Sequence, residues 1–581
     1  MMYKVAGWMS IVIALTAIQG ITECEAQGDS RYSASAVMIP MRDGVELATW
    51  LFTPTDGNGP WPVILTRTPY GRSTARAYGP RYAAEGYVVA IQDVRGQYDS
   101  EGEFVLWLDD RADGYDSVEW LAAQEWSTGK VGMLGGSHLG YTNMAAAVAK
   151  PPHLVTFISI MTQGDPFHIH VRPHGMFPLQ QHFLVLNLFS FDYAATPRIP
   201  MLPDDWVPRL SHLPVIDLDG DILGVELPMW RDHVTHSTFD DYWEPTGVHE
   251  GLEGLDIPAM FIGGWFDFGG AATLHSWRHL QQSGSPARLL IGPWTHQEPG
   301  VDRMGGMYMG SEASVDLDAL YLRWFDHHLK GRDTGMMDEP PVEVFAIGKN
   351  RWLKCDEYPL PETEWMPFYL SSETGANTSK GDGRLSRQLT DSGGEFDTYI
   401  CDPGDPTPSL WFGAGLDYDR RLLEREDILV FETGPLSDSL MVAGPISMRI
   451  FASSTAPDTD WIAYWRVFDG ETGQPALMGR GVLRASYRNS SRSPEPIEPG
   501  EVYEYSLDMV HMGVFLPAGS VIRVEIASAG YPDWSRNLQT GEVSELGSEY
   551  VSAEQRIWHT AEYPSRLILP VVDLDGFSRE K

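Results

Sequence analysis

Short, almost uninterrupted apolar runs recur through the first part of this chain, and they restrict its fold more than any other feature. Val63-Ile64-Leu65, Tyr87 to Ile91, Val131 to Leu134 and Leu154 to Ile160 are each too short for a buried helix. Each also lacks the polar alternation of a strand with one wet face. Such runs fit strands covered on both sides, as in a parallel sheet. Between two of them, Val118, Leu121, Ala122 and Trp126 recur at helical spacing. Strand, helix and strand in succession predict an α/β domain.

The rhythm breaks at 166–254, which is rich in Pro, His, Asp and aromatic residues and has no strand repeat. That segment reads as an insertion over the sheet. The rhythm resumes with Ala259 to Ile262, a helix near Ala271 to Gln282, Leu289 to Ile291, and a helix near Leu317 to Leu329. Asp338-Glu339-Pro340-Pro341 reads as a linker. Beyond it the period becomes two: Ile446, Met448 and Ile450 alternate with Ser447 and Arg449, and Ile522, Val524 and Ile526 with Arg523 and Glu525. That is the pattern of an antiparallel β-sandwich. The expected organisation is a catalytic α/β domain at 27–165 and 255–338, an insertion at 166–254, and a sandwich at 339–581.

The N-terminal residues read as a leader. Lys4 precedes a charge-free run from Val5 to Ile21, and small residues near Cys24-Glu25-Ala26 suit cleavage, so 1–26 is expected to be a signal peptide of an exported protein. An uncleaved anchor is the alternative; no later segment has the charge-free length to span a bilayer. With the leader gone, Cys355 and Cys401 remain. An oxidising compartment allows them to pair, and two separate buried thiols are the other possibility. Acidic residues exceed basic ones by 80 to 42, a net charge of −38. That field repels nucleic acid and anionic membrane surfaces.

Chemistry concentrates at Val131-Gly132-Met133-Leu134-Gly135-Gly136-Ser137-His138-Leu139-Gly140. Strand, tight glycine turn, serine and helix is the context of a nucleophile elbow, with a plain glycine-rich turn as the competing reading. The general pattern puts a glycine two residues after the serine; here Leu139 stands there and the glycine is Gly140. A serine nucleophile needs a base and a carboxylate to orient it. In α/β-hydrolases these follow in the order Ser, Asp, His, each after a strand. Asp267 follows Met260 to Phe266, and His296 follows Leu289 to Thr295. Alone, Asp267 could cap the next helix and His296 could be a loop histidine; together the three are in triad order. Oxyanion donors would be the His138 backbone N–H and the Tyr70 phenol, although spacing alone favours Tyr70 as a turn residue. A rival site is His168-x-His170-x-x-x-His174, which could bind zinc, but Pro173 interrupts it and the acidic partner that a dinuclear hydrolase needs is not obvious beside it.

Taken together, these segments resemble the X-Pro dipeptidyl-peptidase-like serine hydrolases of the cocaine esterase, α-amino-acid ester hydrolase and glutaryl-cephalosporin acylase type. That family's elbow is Gly-x-Ser-Tyr-x-Gly, so the late glycine is expected, and His138 in place of Tyr is a departure. Gln92 to Gly102, Gly264 to Asp267, Gly292 to His296, Arg323 to Gly331, Ala456 to Asp460 and Arg536 to Gly541 resemble further family segments. The resemblance implies an α/β-hydrolase domain, a helical cap and a C-terminal jelly roll. It implies Ser137, Asp267 and His296 as triad, and Tyr70 with His138 at the oxyanion hole. It needs no cofactor. The expected substrate is a small ester or amide. A metal-dependent hydrolase and a non-catalytic binding protein are the rival readings. A substrate ammonium group would require a carboxylate, for which Asp165, Asp192, Asp204 and Asp205 are candidates.

Overall fold

Ten strands hydrogen-bond into one sheet in the order β1-β2-β4-β3-β5-β6-β7-β8-β11-β12. They are β1 (Tyr32–Pro40), β2 (Glu46–Pro54), β3 (Trp61–Thr68), β4 (Val88–Asp93), β5 (Ser127–Gly136), β6 (Leu154–Ile160), β7 (Ala259–Phe266), β8 (Ala287–Thr295), β11 (Val342–Ala346) and β12 (Arg351–Cys355). Two-residue strands β9 (Arg303–Met304) and β10 (Met307–Tyr308) form a separate ladder. This computed structural model describes residues 31–162, 164–190, 202–267, 270–304, 307–389, 393–409, 424–470 and 475–574. The leader expected at 1–26 lies outside them.

From β4 through β3 to β11 every neighbouring pair is parallel. This explains the unbroken apolar runs. Leu65, Met133, Phe157 and Phe261 point into one core, while Ile64, Leu134, Ile158 and Ile262 point into another. Residues of α2 (Asp110–Ala122), α3 (His138–Val148) and α9 (Gly270–Gln282) fill the first core. Residues of α1 (Tyr78–Ala83) and α10 (Leu317–His328) fill the second. A strand with both faces covered has no position for a polar residue to reach water.

The insertion adds helices and, among the described residues, no strand: α4 (Leu179–Phe189), α5 (Trp206–Arg209), α6 (Leu218–Leu223), α7 (Pro228–Thr235) and α8 (His249–Leu252). It opens with one π-helical turn, Phe167–Val171.

The chain does not leave the first sheet at the 338–341 linker. β11 pairs in parallel with β8, and β12 pairs with β11, before the strand-rich region begins. In that region eleven strands join one hydrogen-bonded network. Ile446, Met448 and Ile450 are buried and Arg449 is exposed, as the two-residue period requires. Glu525 departs from this pattern. It faces Arg466 on the adjacent strand at 2.7 Å, with neither side chain exposed.

The cysteine pairing is corrected. Cys355 ends β12 in the first sheet, and Cys401 ends the strand Phe396–Cys401 in the second. Both are free, buried thiols. Each lies near a backbone carbonyl instead, Glu357 at 3.2 Å and Ser528 at 3.8 Å. Burial pushes the Cys355 thiol up to about 12, so it behaves as a small apolar group.

Candidate active site

Ser137 sits between the last residue of β5 and the first of α3, with φ 57° and ψ −127°. A non-glycine residue held there is strained, and such strain gathers at functional sites. The surroundings enforce it. Ser137 N–H donates to the Ile160 carbonyl at 2.8 Å, and Ser137 C=O accepts from Thr162 Oγ1 at 2.6 Å. The two glycines have steric causes. A Cβ at Gly135 would lie 2.5 Å from Leu139 Cβ, and one at Gly140 would lie 2.8 Å from Thr162. Here the third residue after the serine, not the second, crosses the end of β6.

Asp267 follows β7 and His296 follows β8. His296 Nδ1 lies 2.8 Å from Asp267 Oδ1, and the Asp267 side chain is fully buried. The carboxylate is thus engaged with the imidazole. Ser137, Asp267 and His296 all lie just beyond the C-terminal ends of parallel strands, at one edge of the sheet.

Tyr70 is in the loop after β3. Its phenol hydrogen-bonds the Ser137 side chain and accepts from the His138 backbone N–H, and burial raises its pKa, so it stays protonated. The loop is tied down by Asp93, whose Oδ1 accepts Arg72 N–H at 2.7 Å and whose Oδ2 meets Arg72 Nε at 3.0 Å. Burial pushes the Asp93 carboxyl up to about 7 despite this arginine. Asp93 belongs to the segment Gln92 to Gly102, which thereby acquires a structural role behind Tyr70.

The His138 side chain turns away toward Asp110, with Nε2 3.3 Å from Oδ2. Burial raises the Asp110 carboxyl, but His138 and Arg67 outweigh it and hold the group below its ordinary value. The rings of Tyr70, His138 and Phe189 pack together, with centroids 5.6 Å (Tyr70–Phe189), 6.0 Å (His138–Phe189) and 6.5 Å (Tyr70–His138) apart. Sequence reasoning missed Phe189, which packs on Tyr70 and His138, and Asp110, which faces His138. No local pattern marks them, because their role comes from long-range packing.

The three histidines of the rival site are not brought together. His168 Nδ1 is 2.8 Å from Asp165 and its Nε2 2.9 Å from Ser491. His170 stacks on Trp107 at 5.8 Å. His174 stands beyond the turn, with φ 49°. Among the described residues no group of three or more His, Cys, Asp or Glu is arranged to hold a metal ion. Of the candidate carboxylates, Asp165 is taken by His168, Asp204 is exposed, and Asp205 pairs with Arg209 at 3.0 Å. Asp192 lies outside the described residues. A second serine, aspartate and histidine meet at Ser372, Asp397 and His559, but there the carboxylate bonds the serine directly, at 2.9 Å, and all three are buried. That order suits a structural knot, not a relay.

Residues 43–298 match the X-Pro dipeptidyl-peptidase (S15) family, and residues 334–568 match the X-Pro dipeptidyl-peptidase C-terminal non-catalytic domain. The chain is 35% identical to the cocaine esterase of Rhodococcus sp. (strain MB1 Bresler), covering 94% of this chain and 99% of that one. Among solved structures it is similar to an α-amino acid ester hydrolase, with TM-score 0.81, 25% identity, and 96% and 100% of the two chains covered. An aminopeptidase from a marine sediment Thaumarchaeota archaeon shares the fold, with TM-score 0.80, 23% identity and 96% and 99% coverage.

Proposed function

Since the chain belongs to the X-Pro dipeptidyl-peptidase (S15) family and is a serine hydrolase, we propose that it cleaves small neutral acyl esters with Ser137 as nucleophile, His296 as base and Asp267 as its orienter. The observation that carries this is the 2.8 Å contact of His296 with a buried Asp267, at the same strand-end edge of the sheet as a serine strained at a strand–helix turn. Ser137 Oγ attacks the ester carbonyl while His296 Nε2 takes its proton. Asp267 holds the imidazole and stabilises its charged form. The carbonyl oxygen gains charge as the tetrahedral intermediate forms, and His138 N–H and the Tyr70 phenol donate to it. His296 then protonates the leaving alcohol. Water, deprotonated by the same imidazole, releases the acyl group from Ser137.

Rings packed about the serine turn support neutral, including aromatic, acyl groups: Tyr70, Phe189 and His138, with the Trp107–His170 stack connected to them through Tyr141. An aminoacyl or dipeptidyl substrate would need a carboxylate for its ammonium group, and Asp165, Asp204 and Asp205 are engaged or exposed elsewhere. We read the insertion as a cap over the site and the C-terminal strands as a jelly roll. We read residues 1–26 as an export leader, which N-terminal sequencing of the mature protein would test.

The deciding experiment compares p-nitrophenyl esters with an aminoacyl-proline p-nitroanilide, in wild type and in Ser137→Ala. The ester is expected to be the better substrate, and Ser137→Ala to remove its turnover in a folded protein. Undiminished turnover in the variant would refute the serine mechanism.

A further inference from the structure

The turn Phe167–Val171, Arg172 after it and nearby parts of the insertion are held from the C-terminal domain at several points. Arg172 Nη1 meets Glu545 Oε2 at 2.7 Å, with neither side chain exposed. The Arg172 guanidinium also lies 4.6 Å from the Phe177 ring centroid and donates to the Val234 carbonyl at 3.2 Å. His168 reaches Ser491, Ser535 N–H donates to the Phe177 carbonyl at 2.8 Å, and the Tyr487 hydroxyl donates to the Ser237 carbonyl at 2.8 Å. Glu545 is itself anchored. Arg484 Nη1 lies 3.3 Å from it, Arg484 Nε bonds Asp460 at 2.8 Å, and Asn537 Nδ2 bridges Asp458 and Asp460 at 3.1 and 2.9 Å. This knot joins the segments Ala456 to Asp460 and Arg536 to Gly541, to which the reaction itself assigns no role.

The other end of the turn faces the catalytic side. His170 stacks on Trp107 at an interplanar angle of 11°. The Trp107 carbonyl accepts from the Tyr141 hydroxyl at 3.1 Å, and Tyr141 lies on α3 one turn after Ser137. Trp107 is held at φ 71°, a conformation that needs such support. Burial pushes the His170 imidazole down to about 3, and His296 and His138 push the same way, so the ring is neutral.

We propose that Arg172 and Glu545 are positioning residues for the reaction: their buried pair lets the C-terminal domain set where His170 stands on Trp107, and so shapes the wall that an aromatic acyl group meets. The domain matched as non-catalytic thereby bears on substrate specificity through this pair. The pair fixes the turn because any arrangement that draws Arg172 away from Glu545 leaves its buried guanidinium without that carboxylate, and such arrangements are costly. The inference rests on Ser137 being the nucleophile.

The test uses the full chain with Arg172→Met, which leaves Glu545 its contact with Arg484, and with the conservative Arg172→Lys. KM and kcat are measured for p-nitrophenyl acetate and p-nitrophenyl benzoate, alongside labelling of Ser137 by a fluorophosphonate. In Arg172→Met, KM for the benzoate is expected to rise roughly tenfold, with acetate kinetics and labelling rate within about threefold of wild type. Arg172→Lys should recover most of the loss. An equal change for both esters, or none, in folded protein overturns the proposal. If Arg172→Met does not fold, His170→Ala decides: it should raise the benzoate KM by a similar factor, and an unchanged KM rejects the proposal. Failure of wild-type Ser137 to label would instead sink the nucleophile assignment, and this inference with it.

Discussion

Tyr70 concentrates the chemistry of a single residue. Its hydroxyl bonds both the Ser137 side chain and the His138 N–H, and the mechanism proposed above makes it an oxyanion donor. Removing that hydroxyl keeps the ring and its packing on Phe189. A donor of this kind acts mainly on the transition state. Tyr70→Phe is therefore expected to lower kcat by roughly 10²–10³, about 3–4 kcal/mol, with little change in KM. Steady-state kinetics on a p-nitrophenyl ester check this; a kcat within about threefold of wild type would make Tyr70 a turn residue only. Sequence placed Tyr70 in a loop after a strand, but spacing could not separate a donor from a turn tyrosine.

At the scale of elements, the crossing of α3 over the strand ends decides the elbow. A Cβ at Gly140 would press on Thr162, whose hydroxyl holds the Ser137 carbonyl. Overpacking of this kind costs about 1–3 kcal/mol. Gly140→Ala is expected to lower both Tm and kcat, because the same contact supports the fold and the strained serine. A methyl group at Gly220, on α6, would meet nothing within 4 Å, so Gly220→Ala should leave kcat unchanged and hold or raise Tm. Calorimetry and kinetics on the two variants would separate these effects; equal behaviour would show that the α3 crossing is looser than the distances imply.

Across the whole molecule, two measurements follow from burial. Cys355 and Cys401 lie on different sheets, so the denatured, unreduced protein should titrate both thiols; no reaction from either would contradict the fold. Stability should also depend on pH through buried imidazoles. His170, His233, His249 and His511 are each pushed by burial to about 3. The unfolded chain binds protons at these sites below about pH 6.5, while the fold resists them, so each withdraws stability as pH falls from about 6.5 toward 3. Asp93 and Asp458, pushed up by burial to about 7 and about 6, act the opposite way across roughly pH 4 to 7. Four imidazoles against two carboxyls make Tm fall between pH 7 and pH 5. A rise in Tm over that interval would show that the carboxyls dominate.

Local sequence was enough to establish the strands of the parallel sheet, the strand–serine–helix turn, and the order of Ser137, Asp267 and His296. Each of these depends on periodicity or on residues adjacent in the chain, which sequence records directly. It did not reveal that β11 and β12 rejoin the first sheet, that the cysteines stay apart, or that Glu525 is buried against Arg466. Nor did it show which histidines share surroundings, or that Glu545 reaches across to Arg172. Those outcomes depend on contacts between residues far apart in the chain, and only the packed tertiary structure brings such residues within reach of one another.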